Sequence, residues 1–257
     1  MNKISIFLKM IYNVKNWYII FVVYFGIYKK ESYILNLKNG LKIKLRTKST
    51  DLQAFANVWI LKEYNVEGFG INKNDMIIDI GGHIGLFALY ASLNCPSVKI
   101  ISIEPYPQNF SLLAENLKNN KLDKLIIINK AISKSEKIIS LFLDSLDDAA
   151  HSIYGKGKKS IKIKATTLGQ IMKENQIEKC NILKMDCEGA EFEIIESLTN
   201  EELSKIDKIY LEYHLEGNKN TSLDLLKTRL EKINFIVNIN PTNNNLGMLY
   251  AIKQIGA

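Results

Sequence analysis

Cysteine is scarce: the 257 residues contain three, Cys95, Cys180 and Cys187. No two form a CxxC pair, so a zinc site is not expected. An odd, sparse count fits a reducing compartment with free, mostly buried thiols, and a cytoplasmic location is expected. Long apolar runs are also missing. Residues 17–28 are apolar, but Lys15 and Lys29 bracket them, short of the roughly 18 residues of a membrane span. No small-residue cleavage site is evident, so the stretch does not read as a signal peptide. The chain shows no internal repeat and no long low-complexity tract. It has no GxxxxGK[ST] phosphate loop and no GxGxxG dinucleotide turn.

The remaining composition is ordinary. Hydrophobic residues make up 47% and charged residues 24%, enough for a sizeable core. The net charge of +7 permits an acidic partner such as nucleic acid or anionic lipid. The lysines recur along the whole chain, however, and read as a solvated surface. No RNA-binding module accompanies them, so a nucleic-acid partner is not expected. Ile4, Phe7, Ile11, Val14 and Tyr18 recur at helical spacing. This stripe is expected to pack on the domain. Peripheral docking of residues 1–30 at a membrane, with Lys3, Lys9 and Lys15 alongside, is the alternative.

Two alternating segments, Tyr33–Leu37 and Leu41–Leu45, flank Lys38-Asn39-Gly40 and predict a β-hairpin. Asp51 is expected to cap a helix reaching about Tyr64. Strands and helices then alternate. The predicted strands are Met76–Ile80, Val98–Ile103, Leu125–Asn129, Cys180–Met185 and Lys208–Tyr213. Two added strands, Lys137–Leu143 and Ser160–Ala165, flank a polar loop at 144–159 that holds His151 and reads as a lid. Phe235–Ile239 and Met248–Ile252 close the chain as an antiparallel hairpin. The expected fold is α/β, a mainly parallel seven-stranded sheet with an antiparallel closing strand and helices on both faces. Residues 1–50 form a helix-and-hairpin extension of a 51–257 domain.

The chemistry concentrates at strand ends. Met76–Ile80 runs through Asp79 into Gly81-Gly82-His83-Ile84-Gly85, and a helix opens directly after. A buried strand feeding a glycine turn and a helix holds nucleotide-like ligands. The next strand ends in Glu104-Pro105. A carboxylate there can accept both hydroxyls of a ribose. The turn offers no phosphate clamp, which suits S-adenosylmethionine, a nucleoside joined to an amino acid. Asp79 either lies beside the positive end of that amino acid or steadies the turn. Ala131 and Ile132 follow the third strand as a wall for the adenine ring.

These blocks resemble the FkbM-type S-adenosylmethionine-dependent methyltransferases. The matching pieces are Asp79–Gly85, Glu104–Phe110, Asn129–Ser133, Thr167-Leu168, Leu183–Glu191 and Glu212-Tyr213-His214. Members usually carry Ala and Asn where this chain has Gly82 and His83. The resemblance covers about residues 51–250. It implies a class I, Rossmann-like methyltransferase fold and methyl transfer, commonly to oxygen in sugars or small natural products.

Methyl transfer needs an aligned acceptor, excluded water and a proton acceptor for a hydroxyl nucleophile. Asp186 and Glu188 follow the fourth strand; Glu212 and His214 end the fifth. His214 is the leading general-base candidate, because its ordinary pKa lies near neutrality. Asp186 could orient it, act itself or touch the cofactor. Glu191 reads as a charge that favours a helix N-terminus. Asp186, Glu188, Glu212 and His214 could also form a hard-metal site, although no metal ligand is assigned. The expected partner is a saccharide or other small hydroxylated acceptor.

Overall fold

The computed structural model describes residues 3–143, 159–215 and 223–254. Helices α1 (Lys3–Asn13) and α2 (Tyr18–Tyr24) precede a hairpin of β1 (Ser32–Asn36) and β2 (Lys42–Arg46). Helix α3 (Asp51–Phe55) runs on as a π-helix, Ala56–Leu61, which stops where Lys62 takes a left-handed φ of 57°. Then come β3 (Met76–Ile80), α4 (Leu86–Asn94), β4 (Lys99–Ile103), α5 (Pro107–Asn119) and β5 (Ile126–Ile128). Next are β6 (Ala131–Ile132), β7 (Lys137–Phe142), β8 (Ser160–Thr166) and α6 (Leu168–Glu174). The chain continues with β9 (Cys180–Met185), α7 (Glu191–Ser197), α8 (Asn200–Ser204) and β10 (Ile206–His214). It ends with α9 (Leu223–Glu231), β11 (Phe235–Pro241) and β12 (Leu246–Lys253).

The main sheet has seven strands in the order β11-β12-β10-β9-β3-β4-β5. Strand β3 pairs in parallel with β4 and β9, β4 with β5, and β9 with β10. Strand β12 runs antiparallel to β10 and β11, as the closing hairpin predicts. A parallel sheet is covered on both faces, so its strands are apolar on both sides. Within β3, Ile78 and Ile80 join one core and Ile77 the other. Each such side chain contributes about 1.5–3 kcal/mol on burial.

The extension is built into the second core. Val14, Leu35 and Leu45 are fully buried with Phe87 and Leu89 of α4. Asn116 on α5 stitches the hairpin down, accepting the Lys44 N–H and donating to the Lys44 and Ile84 carbonyls. The helical stripe of the sequence is only partly the packed face. Val14 is buried, but Tyr18 is 58% exposed.

Two expectations need correction or restriction. Asp51 caps nothing, because α3 begins after Thr50 without a side-chain cap. Asp51 is fully buried instead and grips Arg46, its Oδ1 2.6 Å from Nη2 and its Oδ2 2.9 Å from Nε. The predicted added strands form a separate sheet, β6-β8-β7. The lid expected between them, with His151, lies outside the described residues.

Candidate active site

The chain fills β3, β4 and β5 outward in one direction, then crosses back to β9 and β10. The resulting switch point lies between β3 and β9, where open α/β sheets leave a crevice beyond the strand ends. A cavity of about 740 Å³ opens there. Its floor is the turn after β3. Gly81 adopts φ +78°, and a Cβ on it would lie 1.7 Å from the Asp186 carbonyl oxygen. Only glycine lets this turn pass so close to β9.

Beneath the turn lies a buried ion pair absent from the sequence reading. Lys184 Nζ sits 3.1 Å from Asp79 Oδ1, and both side chains are almost fully buried. The same Nζ donates to the Gly81 carbonyl at 2.8 Å. Asp79 Oδ2 accepts the Ser102 hydroxyl at 2.8 Å. Burial opposes the charge on Lys184, but Asp79 and Asp186 outweigh it and hold the ammonium well above its ordinary pKa. Asp79 thus steadies the turn from behind and does not line the cavity. Gly85, at the start of α4 with φ +87°, also lies behind it.

The other eight cofactor candidates line the cavity: Gly81, Gly82, His83, Glu104, Pro105, Ala131, Ile132 and Asp186. Glu104 is 5% exposed. Its Oε2 accepts the His83 N–H at 2.8 Å and its Oε1 the Tyr106 N–H at 2.9 Å. Burial raises its pKa to about 7 against those two bonds, the Lys184 charge and a hydrogen bond from the Asn109 side chain. Among the described residues no lysine or arginine pairs with it. The carboxylate therefore retains acceptor capacity beside the cavity and would repel a phosphate. This donor set fits a phosphate-free nucleoside.

His83 has a left-handed φ of 48°. Its Nε2 accepts from Arg46 Nη2 at 3.3 Å, beside Asp51. Burial first, and Arg46 against the pull of Asp51, bring its pKa down to about 4. It is a neutral wall residue tied to the hairpin.

All four catalytic candidates, Asp186, Glu188, Glu212 and His214, also line this cavity. Period-two alternation puts Glu212 and His214 on one face of β10. Glu191, read as a helix-end charge, has a more specific role. It is fully buried, accepts the Cys187 and Gly189 N–H groups, and sits 3.2 Å from His214 Nδ1. On the other side, Glu188 Oε2 lies 3.3 Å from His214 Nε2. Burial disfavours the imidazolium, but the hydrogen bond and charge of Glu191, with Glu188 and Asp186, raise His214 to about 10. That direction favours the protonated ring and weighs against His214 as the general base.

Asp186, Glu188 and His214 each bring one possible ligand atom within 4.8 Å of the others. Two carboxylates and an imidazole are ligand types that suit a divalent cation, which would have to displace the His214 proton on binding.

Carboxylates in the cavity also have raised pKa values. Burial first and Asp186 second raise Glu212 to about 7. Glu63, which no sequence signal marked, lines the cavity from the end of the π-helix. Burial and then Asp186 raise it to about 7. Tyr64 beside it packs on Phe87 and Tyr210, with centroids at 4.6 and 4.9 Å. Thr242, Asn243 and Asn245 of the β11–β12 turn complete the wall.

Glu191→Gln should return His214 from about 10 toward its ordinary pKa of about 6.5. The His214 contribution to stability is full below about 6.5 and is lost as pH climbs through the folded value. The variant should lose that dependence. NMR titration of the His214 ring checks both statements, and a wild-type ring titrating near neutrality would contradict them.

The model of the Methyltransferase FkbM domain matches residues 79–237, from the acid of the glycine turn to β11. The chain belongs to the FkbM methyltransferase family. The hexuronic acid methyltransferase AglP of Haloferax volcanii is 24% identical over 196 residues, covering 71% of this chain and 79% of its own. The 31-O-demethyl-FK506 methyltransferase FkbM of Streptomyces tacrolimicus is 20% identical over 211 residues, covering 70% and 81%. A solved Pyrococcus horikoshii protein described as a proposed transferase superposes with a TM-score of 0.50 at 13% identity, covering 93% of this chain and 83% of its own. The fold is the Rossmann-like class I methyltransferase fold. Ser102 crowds the space beside Gly82 in this chain. A Cβ on Gly82 would come 2.1 Å from the Ser102 Oγ, and that hydroxyl is held by Asp79.

Proposed function

We propose that this chain transfers a methyl group from S-adenosylmethionine to a hydroxyl of a saccharide or other small hydroxylated acceptor. One observation carries the reading: a single cavity joins buried Glu104 to Glu63, Asp186, Glu188 and Glu212. Glu104 holds the ribose hydroxyls, Pro105, Ala131 and Ile132 face the adenine, and the Gly81 turn carries the methionine end. The cofactor supplies a methyl activated by its sulfonium charge. The acidic wall favours that cation and a neutral acceptor. It opposes a phosphodiester chain, which argues against RNA as substrate. Glu212 takes the acceptor's proton, since a base works best with a pKa near the working pH. His214, held by Glu191, positions Glu188. Tyr64, packed between Phe87 and Tyr210, limits water.

A labelled-donor assay against neutral glycosides, uronates and RNA tests the substrate class. Turnover should rise with pH through about 7, because Glu212 loses its proton there. Glu212→Gln should flatten that limb and lower kcat by roughly 100-fold or more. A pH profile unchanged by the substitution would remove Glu212 from the role.

A further inference from the structure

We infer that the outer face of α1 and α2 is a docking surface for an anionic lipid bilayer, a property separate from the methyl-transfer reading. The large exposed apolar side chains of the described residues are not scattered. Of 15 in the whole described chain, eight fall between residues 8 and 27. The most exposed include Tyr24 at 77%, Tyr12 at 74%, Ile27 at 62% and Leu8 at 60%. Around α2 the rings touch: the Phe21 and Phe25 ring centroids are 4.5 Å apart, those of Tyr24 and Phe25 are 5.3 Å apart, and Phe7 of α1 lies 6.4 Å from Phe21. A soluble surface seldom concentrates apolar area in this way without a partner.

The helices are already fixed on their inner side. Met10, Val14 and Ile20 are buried in the domain. Between the helices, Asn16 donates to the Ile34 carbonyl and accepts the Asn36 N–H, both at 2.8 Å. The outward face is therefore a second, unused face.

Charge identifies the occupant. Residues 1–30 contain Lys3, Lys9, Lys15, Lys29 and Lys30 and no aspartate or glutamate. Lys38 extends the basic rim, its Nζ 4.9 Å from the centre of the Tyr12 ring. Aromatic rings flanked by lysines match the boundary between headgroups and acyl chains. A second copy of the chain docking face to face would bring two lysine sets together with no acid between them. No helix among the described residues is long and apolar enough to cross a membrane, so the contact is interfacial.

Flotation of the full chain with vesicles tests this. Binding is expected to phosphatidylcholine vesicles containing phosphatidylglycerol, to weaken with salt, and to be far lower on phosphatidylcholine alone. The triple change Lys15→Gln, Lys29→Gln, Lys30→Gln should lower the partition coefficient about 100-fold. A second variant, Phe21→Ser with Tyr24→Ser and Phe25→Ser, should abolish flotation. Unchanged circular dichroism shows that both variants remain folded. No flotation of the intact chain at low salt would overturn the inference. So would a sedimentation-detected dimer that the aromatic variant dissolves, because the face would then be a self-association surface.

Discussion

Lys184→Met is expected to destabilise the protein by about 3–5 kcal/mol, the cost of leaving a buried charge without its partner. Asp79 is fully buried, and Lys184 is its cation. Removing the ammonium also frees the Gly81 carbonyl, which it holds at 2.8 Å. The turn that forms the cavity floor would then lose its anchor to β9. Urea denaturation measures the loss. The double variant Asp79→Asn, Lys184→Met should recover much of it, since the uncompensated charge is gone. A single variant that unfolds at the wild-type urea concentration would show that the pair does not support the turn.

Glu104→Gln should weaken binding of S-adenosylhomocysteine at least about 100-fold. Above the raised pKa of about 7, two hydrogen bonds to the ionised acceptor are worth about 1.5–3 kcal/mol each, and 1.4 kcal/mol is a tenfold change. Both carboxylate oxygens also accept backbone N–H groups, from His83 and Tyr106. An amide NH₂ would meet one of those donors with a donor of its own. Calorimetric titration reads the change, with Glu212→Gln as a folded control that keeps binding. A Glu104→Gln titration within about threefold of wild type would separate the ribose contact from this residue.

The parts of this site that follow local chemistry could be read in advance. Apolar strands feeding a glycine turn, Glu104 at the end of the next strand, and Glu212 and His214 two apart on β10 are patterns of neighbours. The parts set by tertiary pairing could not. Lys184 sits in an apolar run, Leu183-Lys184-Met185, where an outward, solvated lysine is the default. Its partner Asp79 reaches it only because β3 and β9, 105 residues apart at Asp79 and Lys184, pair in parallel. Asp51 looked like a cap by position, yet the hairpin brings Arg46 to it. His214 looked like a base because an isolated imidazole titrates near neutrality. Glu188 and Glu191, on the segment after β9, flank it and push its pKa up, and their convergence is a fact of packing. Glu63 carries no motif at all; the π-helix and its left-handed end aim it at the cavity.

A solved complex with S-adenosylhomocysteine tests the central claim most directly. The account predicts both ribose hydroxyls within hydrogen-bond distance of the Glu104 carboxylate, with the adenine against Ala131 and Ile132. A nucleoside seated elsewhere, with no ribose hydroxyl on the Glu104 carboxylate, would contradict it.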